Sequence, residues 1–163
     1  MDEKSDCDGD REHILFPMPM LLGKKYRATS DPPRRLGGGT YGSVHLYETV
    51  PSEQQQHRTQ LVAVKRFRAS HMVSDGPETS LLREVSLLKQ CSDCPNIVKF
   101  YDVFIEPMSR AERARLCRDF SAQTSHFWAF VVMERLYQPL ATFLTSSQCN
   151  LTVTIVQRWT KQL

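Results

Sequence analysis

The feature that most constrains the fold is a glycine-rich segment between two stretches of strand character. Residues Leu36 to Val44 read LGGGTYGSV, and Gly37, Gly39 and Gly42 stand in G-x-G-x-x-G spacing. Glycine has no Cβ, so its backbone can turn tightly and can approach a phosphate oxygen closely. The spacing alone leaves two interpretations open: a segment that covers phosphates, or the glycine-rich turn of an ordinary hairpin.

The residues after the glycines argue against a dinucleotide-binding Rossmann unit. In that unit the glycines open a helix, whose N-terminus holds the pyrophosphate. Here Val44 and Leu46 alternate with His45 and Tyr47, which is the period of a strand. Two strands joined by a glycine turn would instead lay a flap over a nucleotide.

A second strand-like run, Leu61 to Phe67, carries a lysine among apolar residues. Ala63 and Lys65 fall on one face because side chains alternate along a strand. An ammonium group buried there without a partner would cost several kcal/mol. Lys65 therefore either pairs with an anion, such as a nucleotide phosphate or Glu84, or reaches solvent from an edge strand.

Residues 77–90 change to a helical period, with Leu81, Val85 and Leu88 at i, i+4 and i+7. Glu84 borders this apolar stripe. It is either a solvated residue at the flank of the helix or one half of a salt bridge. A pair with Lys65 accounts for both charged residues at once.

These motifs together resemble the small lobe of a eukaryotic protein kinase. Residues 37–44 fit G-x-G-x-x-G-x-V, residues 62–65 read VAVK, and a helix with a partnering glutamate follows. The resemblance covers about residues 34–163. It implies an α+β fold: a kinase small lobe, with a five-stranded antiparallel sheet and one regulatory helix, followed by the beginning of a helical large lobe.

The helix region narrows the resemblance to the cyclin-dependent kinases, a branch of the CMGC serine/threonine kinases. Residues 78–84 fall on the cyclin-binding PSTAIRE segment of that branch, and residues 95–99 and 132–136 also fit it. The resemblance implies a cyclin-like partner bound through Glu78, Thr79, Ser80, Leu81, Leu82 and Arg83. It also implies that Leu88 and Phe100 contribute to a regulatory hydrophobic stack.

The resemblance further implies that ATP binds together with Mg²⁺. The implied nucleotide-binding residues are Leu36, Gly37, Gly38, Gly39, Thr40, Tyr41, Gly42, Ser43, Val44, Ala63, Lys65, Met133, Glu134, Arg135 and Leu136. Lys65 would hold the α- and β-phosphates and Glu84 would hold Lys65, so these two are the implied catalytic residues. Met133 would be the gatekeeper, and backbone groups of Glu134 and Leu136 would bind the adenine edge.

Thr40 and Tyr41 match the paired inhibitory phosphorylation sites of the same branch. A phosphate on either would add about −1.5 to −2 charge beside the ATP phosphates. Two departures stand close to the site. Gly38 replaces the usual acidic residue, which predicts a looser flap, and Pro139 replaces an aspartate that often contacts the ribose.

Phosphoryl transfer also needs an orienting aspartate and metal ligands, which kinases supply from H-R-D-x-x-x-x-N and D-F-G. Neither motif occurs in this sequence. Residues 118–121, RDFS, carry serine in place of glycine and precede the hinge, so they do not qualify. We expect no metal ligands here and no activity from this chain alone. The alternative function is a non-catalytic, kinase-like module that binds a cyclin-like partner through residues 78–84.

The chain is expected to divide into three parts, the second of which contains an insertion. Residues 1–30 read as a flexible leader, residues 31–136 as the small lobe and hinge, and residues 137–163 as an incomplete large lobe. A polar, arginine-rich insertion at about 107–126 is expected to be exposed, with helix as one option. Its arginines form either a solvated face or a basic docking surface.

Composition agrees with a soluble protein of the cytoplasm or nucleus. Of the 163 residues, 40% are hydrophobic and 24% charged, with a net charge of +3, which does not indicate a nucleic-acid partner. The longest apolar run, residues 14–22, is interrupted by prolines and too short to span a bilayer.

Five cysteines are an odd number, and the single C-x-x-C, Cys91 and Cys94, has no second pair at zinc spacing. The expected partners are ATP, a cyclin-like subunit and protein substrates, with no membrane.

Overall fold

A computed structural model describes residues 15–39, 41–51, 59–69, 77–120 and 126–137 of the chain. These ranges contain seven strands and two helices. In chain order they are β1 (Leu21–Leu22), β2 (Tyr26–Ala28), β3 (Arg35–Gly39), β4 (Gly42–Thr49), β5 (Leu61–Phe67), α1 (Pro77–Gln90), β6 (Phe100–Pro107), α2 (Arg110–Phe120) and β7 (Phe127–Glu134). Neither helix in this part of the chain has the length and apolar character of a membrane-spanning segment.

The strands form one antiparallel sheet in the order β1-β2-β4-β5-β7-β6, and β3 pairs with the first half of β4. The five predicted strands are confirmed as β3 to β7, and the predicted regulatory helix is α1. Residues 138–163, where we expect the first helices of the large lobe, lie outside the described residues.

The sheet curls until strands from its two ends meet. Lys25, in the turn just before β2, forms an ion pair with Asp102 of β6 at 2.9 Å. The rings of Tyr26 and Phe104 contact edge to face, with centroids 5.9 Å apart. The curl encloses one face of the sheet, which is filled by the residues we call the inner core: Phe16, Met18, Leu22, Tyr26, Ala28, Tyr47, Val62, Val64, Ala69, Met108, Leu116, Trp128, Phe130 and Val132.

The other face of the sheet packs against α1. Leu81, Val85 and Leu88 of this helix contact the sheet at the spacing that the sequence predicted. The residues we call the helix-side core are Phe67, Leu81, Ala129 and Val131, with Val85, Leu88, Phe100, Val103, Phe127 and Met133 partly buried around them. Strand β5 serves both cores, because Val62 and Val64 face inward while Ala63 and Lys65 face the other way.

The expectation of a flexible leader is wrong for residues 15–30. Phe16 and Met18 are buried in the inner core. The Tyr47 hydroxyl donates to the Pro19 carbonyl, and the Arg66 guanidinium donates to the Phe16 carbonyl. Prolines at every second position prevent a helix and leave the intervening large apolar side chains free to enter the core.

The same segment contributes a hairpin that the sequence analysis did not predict. Gly23 and Lys24 both have positive φ, at 57° and 59°, and the Lys25 N–H donates to the Leu22 carbonyl at 3.1 Å. The two positive φ values and this hydrogen bond are those of a type I′ turn, and the pairing of Leu22 with Tyr26 places three residues, 23–25, in the hairpin loop. The hairpin adds β1 and β2 to the sheet edge beside β4.

The insertion is helical at α2, but it is not simply exposed as we expected. Its residue Leu116 is fully buried in the inner core. The helix begins with a capping box: the Glu112 N–H donates to the Ser109 hydroxyl at 3.1 Å, and the Ser109 N–H donates to the Glu112 carboxylate at 2.7 Å. The indole N–H of Trp128 donates to the same carboxylate at 3.1 Å, which ties α2 to β7.

Replacing Glu112 is expected to destabilise the fold. Glu112→Ala removes the carboxylate half of the capping box and the Trp128 hydrogen bond, whereas the Ser109 hydroxyl still caps the backbone N–H of residue 112. We expect a loss of about 1–2 kcal/mol in the free energy of unfolding. Glu112→Gln keeps an accepting oxygen and should lose less. Denaturant unfolding of the two variants measures the difference, and equal stability of Glu112→Ala and wild type would contradict the role of the cap.

The contribution of the ionised Glu112 carboxylate to the stability of the fold should also depend on pH. Burial raises the pKa of the Glu112 carboxyl group. The hydrogen bonds from Ser109 and Trp128 together lower it by more, so its pKa in the folded protein lies below the ordinary value of 4.5. Because the folded-state pKa is depressed, the carboxylate stabilises the fold above about pH 4.5 and this contribution is lost as pH falls through the folded-state value. The stability advantage of wild type over Glu112→Gln should therefore shrink below about pH 4.5. A constant difference between pH 7 and pH 4 would argue against it.

Candidate nucleotide-binding site

A cavity of about 520 Å³ opens beside the glycine-rich hairpin of β3 and β4. This volume lies within the range of small-molecule sites. Most of the residues that the sequence analysis assigned to nucleotide binding line this cavity: Leu36, Gly37, Gly38, Gly39, Tyr41, Gly42, Val44, Ala63, Lys65, Met133, Glu134 and Leu136. They come from four separate strands and the segment after β7.

The roof of the cavity is the turn between β3 and β4. Gly39 pairs with Gly42 at its tip, and the N–H of Arg68 donates to the Tyr41 carbonyl at 3.1 Å. A Cβ on Gly42 would collide with the backbone carbonyl of Arg66, whereas a Cβ on Gly39 would meet nothing within 4 Å. Glycine at position 42 therefore allows the turn to lie against the end of β5.

Lys65 and Glu84 meet at one side of the cavity. The Nζ atom of Lys65 lies 2.6 Å from one carboxylate oxygen of Glu84 and 2.8 Å from the other. The two side chains are 20% and 31% exposed, so the pair is half-buried and open toward the cavity. The structure thus joins β5 to α1 through the two residues that the sequence analysis paired.

An apolar slot adjoins the ion pair. Leu36 and Val44 lie on the β3–β4 side, and Ala63 pairs directly with Met133 across β5 and β7. Met133 is half-buried and also packs in the helix-side core. A flat heterocycle fits between such walls, because the small Ala63 side chain leaves room that a larger residue would fill.

The segment after β7 forms the outer rim of the slot. The Glu134 N–H donates to the Lys99 carbonyl at 2.8 Å, and the Lys99 N–H donates to the Glu134 carboxylate at 3.2 Å. These two bonds hold the end of β7 against the chain that leads into β6. Leu136 follows, 62% exposed at the cavity mouth.

Two described residues assigned to nucleotide binding, Ser43 and Arg135, are not among the lining residues. Ser43 is buried opposite Gly38, and Arg135 is half-buried away from the cavity. Thr40, which is also a candidate phosphorylation site, lies outside the described residues. The second candidate, Tyr41, is 64% exposed.

Two lining residues were missed by the sequence analysis, namely Val98 and Tyr137. Val98 precedes β6 and reaches the cavity because Phe100 pairs with Met133. Only the strand order, which places β6 beside β7, brings Val98 to the site. Tyr137 could have been inferred, since it directly follows Leu136 at the cavity mouth.

The residues assigned to partner binding, 78–83, differ in whether they face the sheet or solvent. Leu81 is 5% exposed and belongs to the helix-side core, so it faces the sheet and not a partner. Leu82 is 58% exposed, and Arg83 is also exposed. The backbone of Glu78, Thr79 and Ser80 is helical, and their side chains lie outside the described residues. Leu88 and Phe100, assigned to the regulatory stack, lie together in the helix-side core.

Among the described residues, no group of three or more His, Cys, Asp or Glu side chains is placed to hold a metal ion. Cys91 and Cys94 of the C-x-x-C are free thiols in the turns after α1. The site in this part of the chain is therefore built from a lysine, a carboxylate, glycine backbone and an apolar slot.

The stability of the fold should require glycine at position 42 but not at position 39. We expect Gly42→Ala to lower the free energy of unfolding by about 1–3 kcal/mol, because the added methyl collides with the Arg66 backbone. Gly39→Ala is the matched control on the same turn and should unfold close to wild type. Thermal unfolding of both variants tests this, and similar melting temperatures for the two would contradict the described turn.

Comparison with known proteins agrees with this geometry. Residues 31–163 match the family of the protein kinase domain. The chain is also similar to CBL-interacting serine/threonine-protein kinase 7 of Arabidopsis thaliana, at 32% identity over 87 residues. That alignment covers 53% of this chain and 18% of the plant protein, so the chain spans less than a fifth of the length of this relative. Since the family match covers most of the sequence, the chain belongs to the protein kinase family.

Proposed function

We propose that this chain is the ATP-binding part of a serine/threonine protein kinase of the cytoplasm or nucleus. The observation that carries the proposal is the Lys65–Glu84 ion pair at the side of a cavity roofed by glycines. Membership in the kinase family and the similarity to a plant serine/threonine kinase support it.

Each part of the cavity suits one part of ATP. The slot between Val44, Ala63 and Met133 accepts the adenine ring, and the segment at Glu134 and Leu136 offers backbone groups to its edge. The glycine turn lets backbone approach the phosphates. Lys65 supplies a positive charge that Glu84 holds in place, so its ammonium does not have to be ordered when the nucleotide binds.

In the proposed reaction the bond between the γ-phosphorus of ATP and the bridging oxygen breaks, so that ADP leaves. The phosphoryl group joins the hydroxyl oxygen of a protein serine or threonine, and the proton of that hydroxyl is released to solvent. Mg²⁺ neutralises charge on the phosphates in such reactions. The orienting aspartate and metal-ligand motifs do not occur in this sequence. We therefore expect nucleotide binding from this chain alone, and transfer only from a protein that also carries those motifs.

We further propose that the kinase resembles the cyclin-dependent branch and binds a cyclin-like subunit at α1. The exposure of Leu82 and Arg83 supports an interaction there, because both side chains lie on the helix surface beside the ion pair. A partner that shifts α1 would move Glu84 and thereby Lys65. Phosphorylation of Thr40 or Tyr41 would place negative charge beside the nucleotide phosphates.

A second candidate function uses the same surface without catalysis: a kinase-like module that binds a cyclin-like partner. The exposure of Leu82 fits this candidate equally. Phosphoryl transfer by the longest natural protein that contains this sequence separates the two candidates.

Charge at Lys65 should govern ATP affinity. We expect Lys65→Met to weaken binding of a fluorescent ATP analogue by about tenfold or more, since a charge-assisted contact to phosphate is lost. Glu84→Gln should weaken it less, because the lysine remains but is no longer held. The double variant should bind like Lys65→Met, as expected when Glu84 acts through Lys65. Unchanged affinity in Lys65→Met would contradict the proposed site.

Replacement of Leu82 tests the partner surface. Leu82→Arg should weaken binding to purified cyclins by about tenfold, because a charge then replaces an exposed apolar contact. Leu87→Arg is the matched control, since Leu87 is 54% exposed on the same helix but outside residues 78–84. Equal binding by both variants across a cyclin panel would argue against the proposed surface.

A further inference from the structure

An arginine lies against the glycine-rich strand on the face turned away from the cavity, at the place where a side chain of residue 38 would be. A Cβ built on Gly38 would fall 2.5 Å from Nη2 of Arg35 and 3.3 Å from Cζ and Nε of the same side chain. The guanidinium therefore fills the space that glycine leaves empty at this position.

A bulge in β3 places the two residues on the same face. Arg35 pairs with His45, but Gly37 pairs with Val44, so one extra residue is inserted between them. After the bulge, Gly38 pairs with Ser43, which lies on the same face of β4 as His45. Without the extra residue, Arg35 would share its face with Gly37.

This face is opposite to the cavity. Val44 lines the cavity, and side chains alternate along β4, so Ser43 and His45 point to the other side. Arg35 is exposed and does not line the cavity. Only the glycine backbone therefore separates its guanidinium from a ligand under the turn.

A guanidinium in this position acts on the phosphate site through its charge. It adds one positive charge on the far side of the glycine backbone, and exposed charges interact over about 8–10 Å at moderate to low salt. An acidic side chain at residue 38 would do the opposite.

We propose that Arg35 is a positioning residue for the phosphates of a nucleoside triphosphate. It acts from the face of the glycine-rich strand turned away from the cavity, through the gap left by Gly38. This inference rests on the proposed function, because it assumes that the cavity binds a nucleotide. Within that function, Arg35 would make the site bind nucleotides more tightly as the number of charged phosphates rises.

The test compares the affinities of the full chain for ATP, ADP and adenosine. Arg35→Gln is expected to weaken ATP binding by about three- to tenfold, ADP binding less, and adenosine binding hardly at all, because the effect scales with ligand charge. The loss should shrink as salt is raised from about 50 to 500 mM. Arg35→Lys should restore part of the preference for ATP.

Arg34→Gln is the matched control. It removes the same charge one residue earlier at another exposed position, and it should change the ratio of ATP to adenosine affinity by less than about twofold. Gly38→Ala provides a second variant, since its methyl group would displace the guanidinium. It should lower the ATP preference in the wild-type background and have little further effect in Arg35→Gln.

The outcomes separate this inference from the proposed function. If Arg35→Gln weakens ATP and adenosine equally, or leaves the ratio unchanged while both still bind, the inference is overturned and the nucleotide site stands. If no nucleotide or nucleoside binds to the wild-type chain, both are overturned. A charge-graded, salt-sensitive loss that is confined to position 35 supports the inference.

Discussion

The ion pair between Lys65 and Glu84 is the contact on which the arrangement of the site depends. It joins the central strand β5 to helix α1 at 2.6 Å, in a half-buried position. Removing either partner would leave the other charge without its counterion, which costs more than the pair itself contributes. The pair therefore ties the position of α1 to the position of the lysine that faces the cavity.

Strand β5 can present this lysine because it is held from both sides. Lys65 and Phe67 face α1, while Val64 and Arg66 face the inner core. Arg66 donates to the Phe16 carbonyl and lies 5.0 Å from the Trp128 ring. The segment at residues 15–19 and helix α2 thus close the inner face, and a change there would reach the strand that carries Lys65.

Much of the fold could be predicted from periodicity. Strands β4 and β5 alternate in two-residue steps, α1 carries its apolar residues at helical spacing, and the glycines mark the turn between β3 and β4. The presence of these elements follows from local sequence, because each buries a face that its own pattern reveals, although β4 extends beyond its alternating residues to Gly42–Thr49. The pairing of Lys65 with Glu84 could be inferred because one ion pair accounted for both charged residues.

Other features depend on contacts between distant segments. Phe16 and Met18 looked like part of a leader, since their burial requires the curl of the sheet. Leu116 is a single buried apolar residue in the arginine-rich helix α2, so the sequence of this helix shows no apolar periodicity that would predict its burial. The capping box at Ser109 and Glu112 could have been recognised from the sequence. The bulge that brings Arg35 over Gly38 is a property of strand register, and register is not visible in one strand alone.

The most direct test of the account asks which lysine lies beside the ATP phosphates. An acyl-phosphate derivative of ATP transfers its acyl group to an amine near the terminal phosphates, and peptide mapping then identifies the labelled residue. We predict that Lys65 is labelled and that excess ATP protects it. Labelling spread over exposed lysines such as Lys24 and Lys25, without protection by ATP, would contradict it.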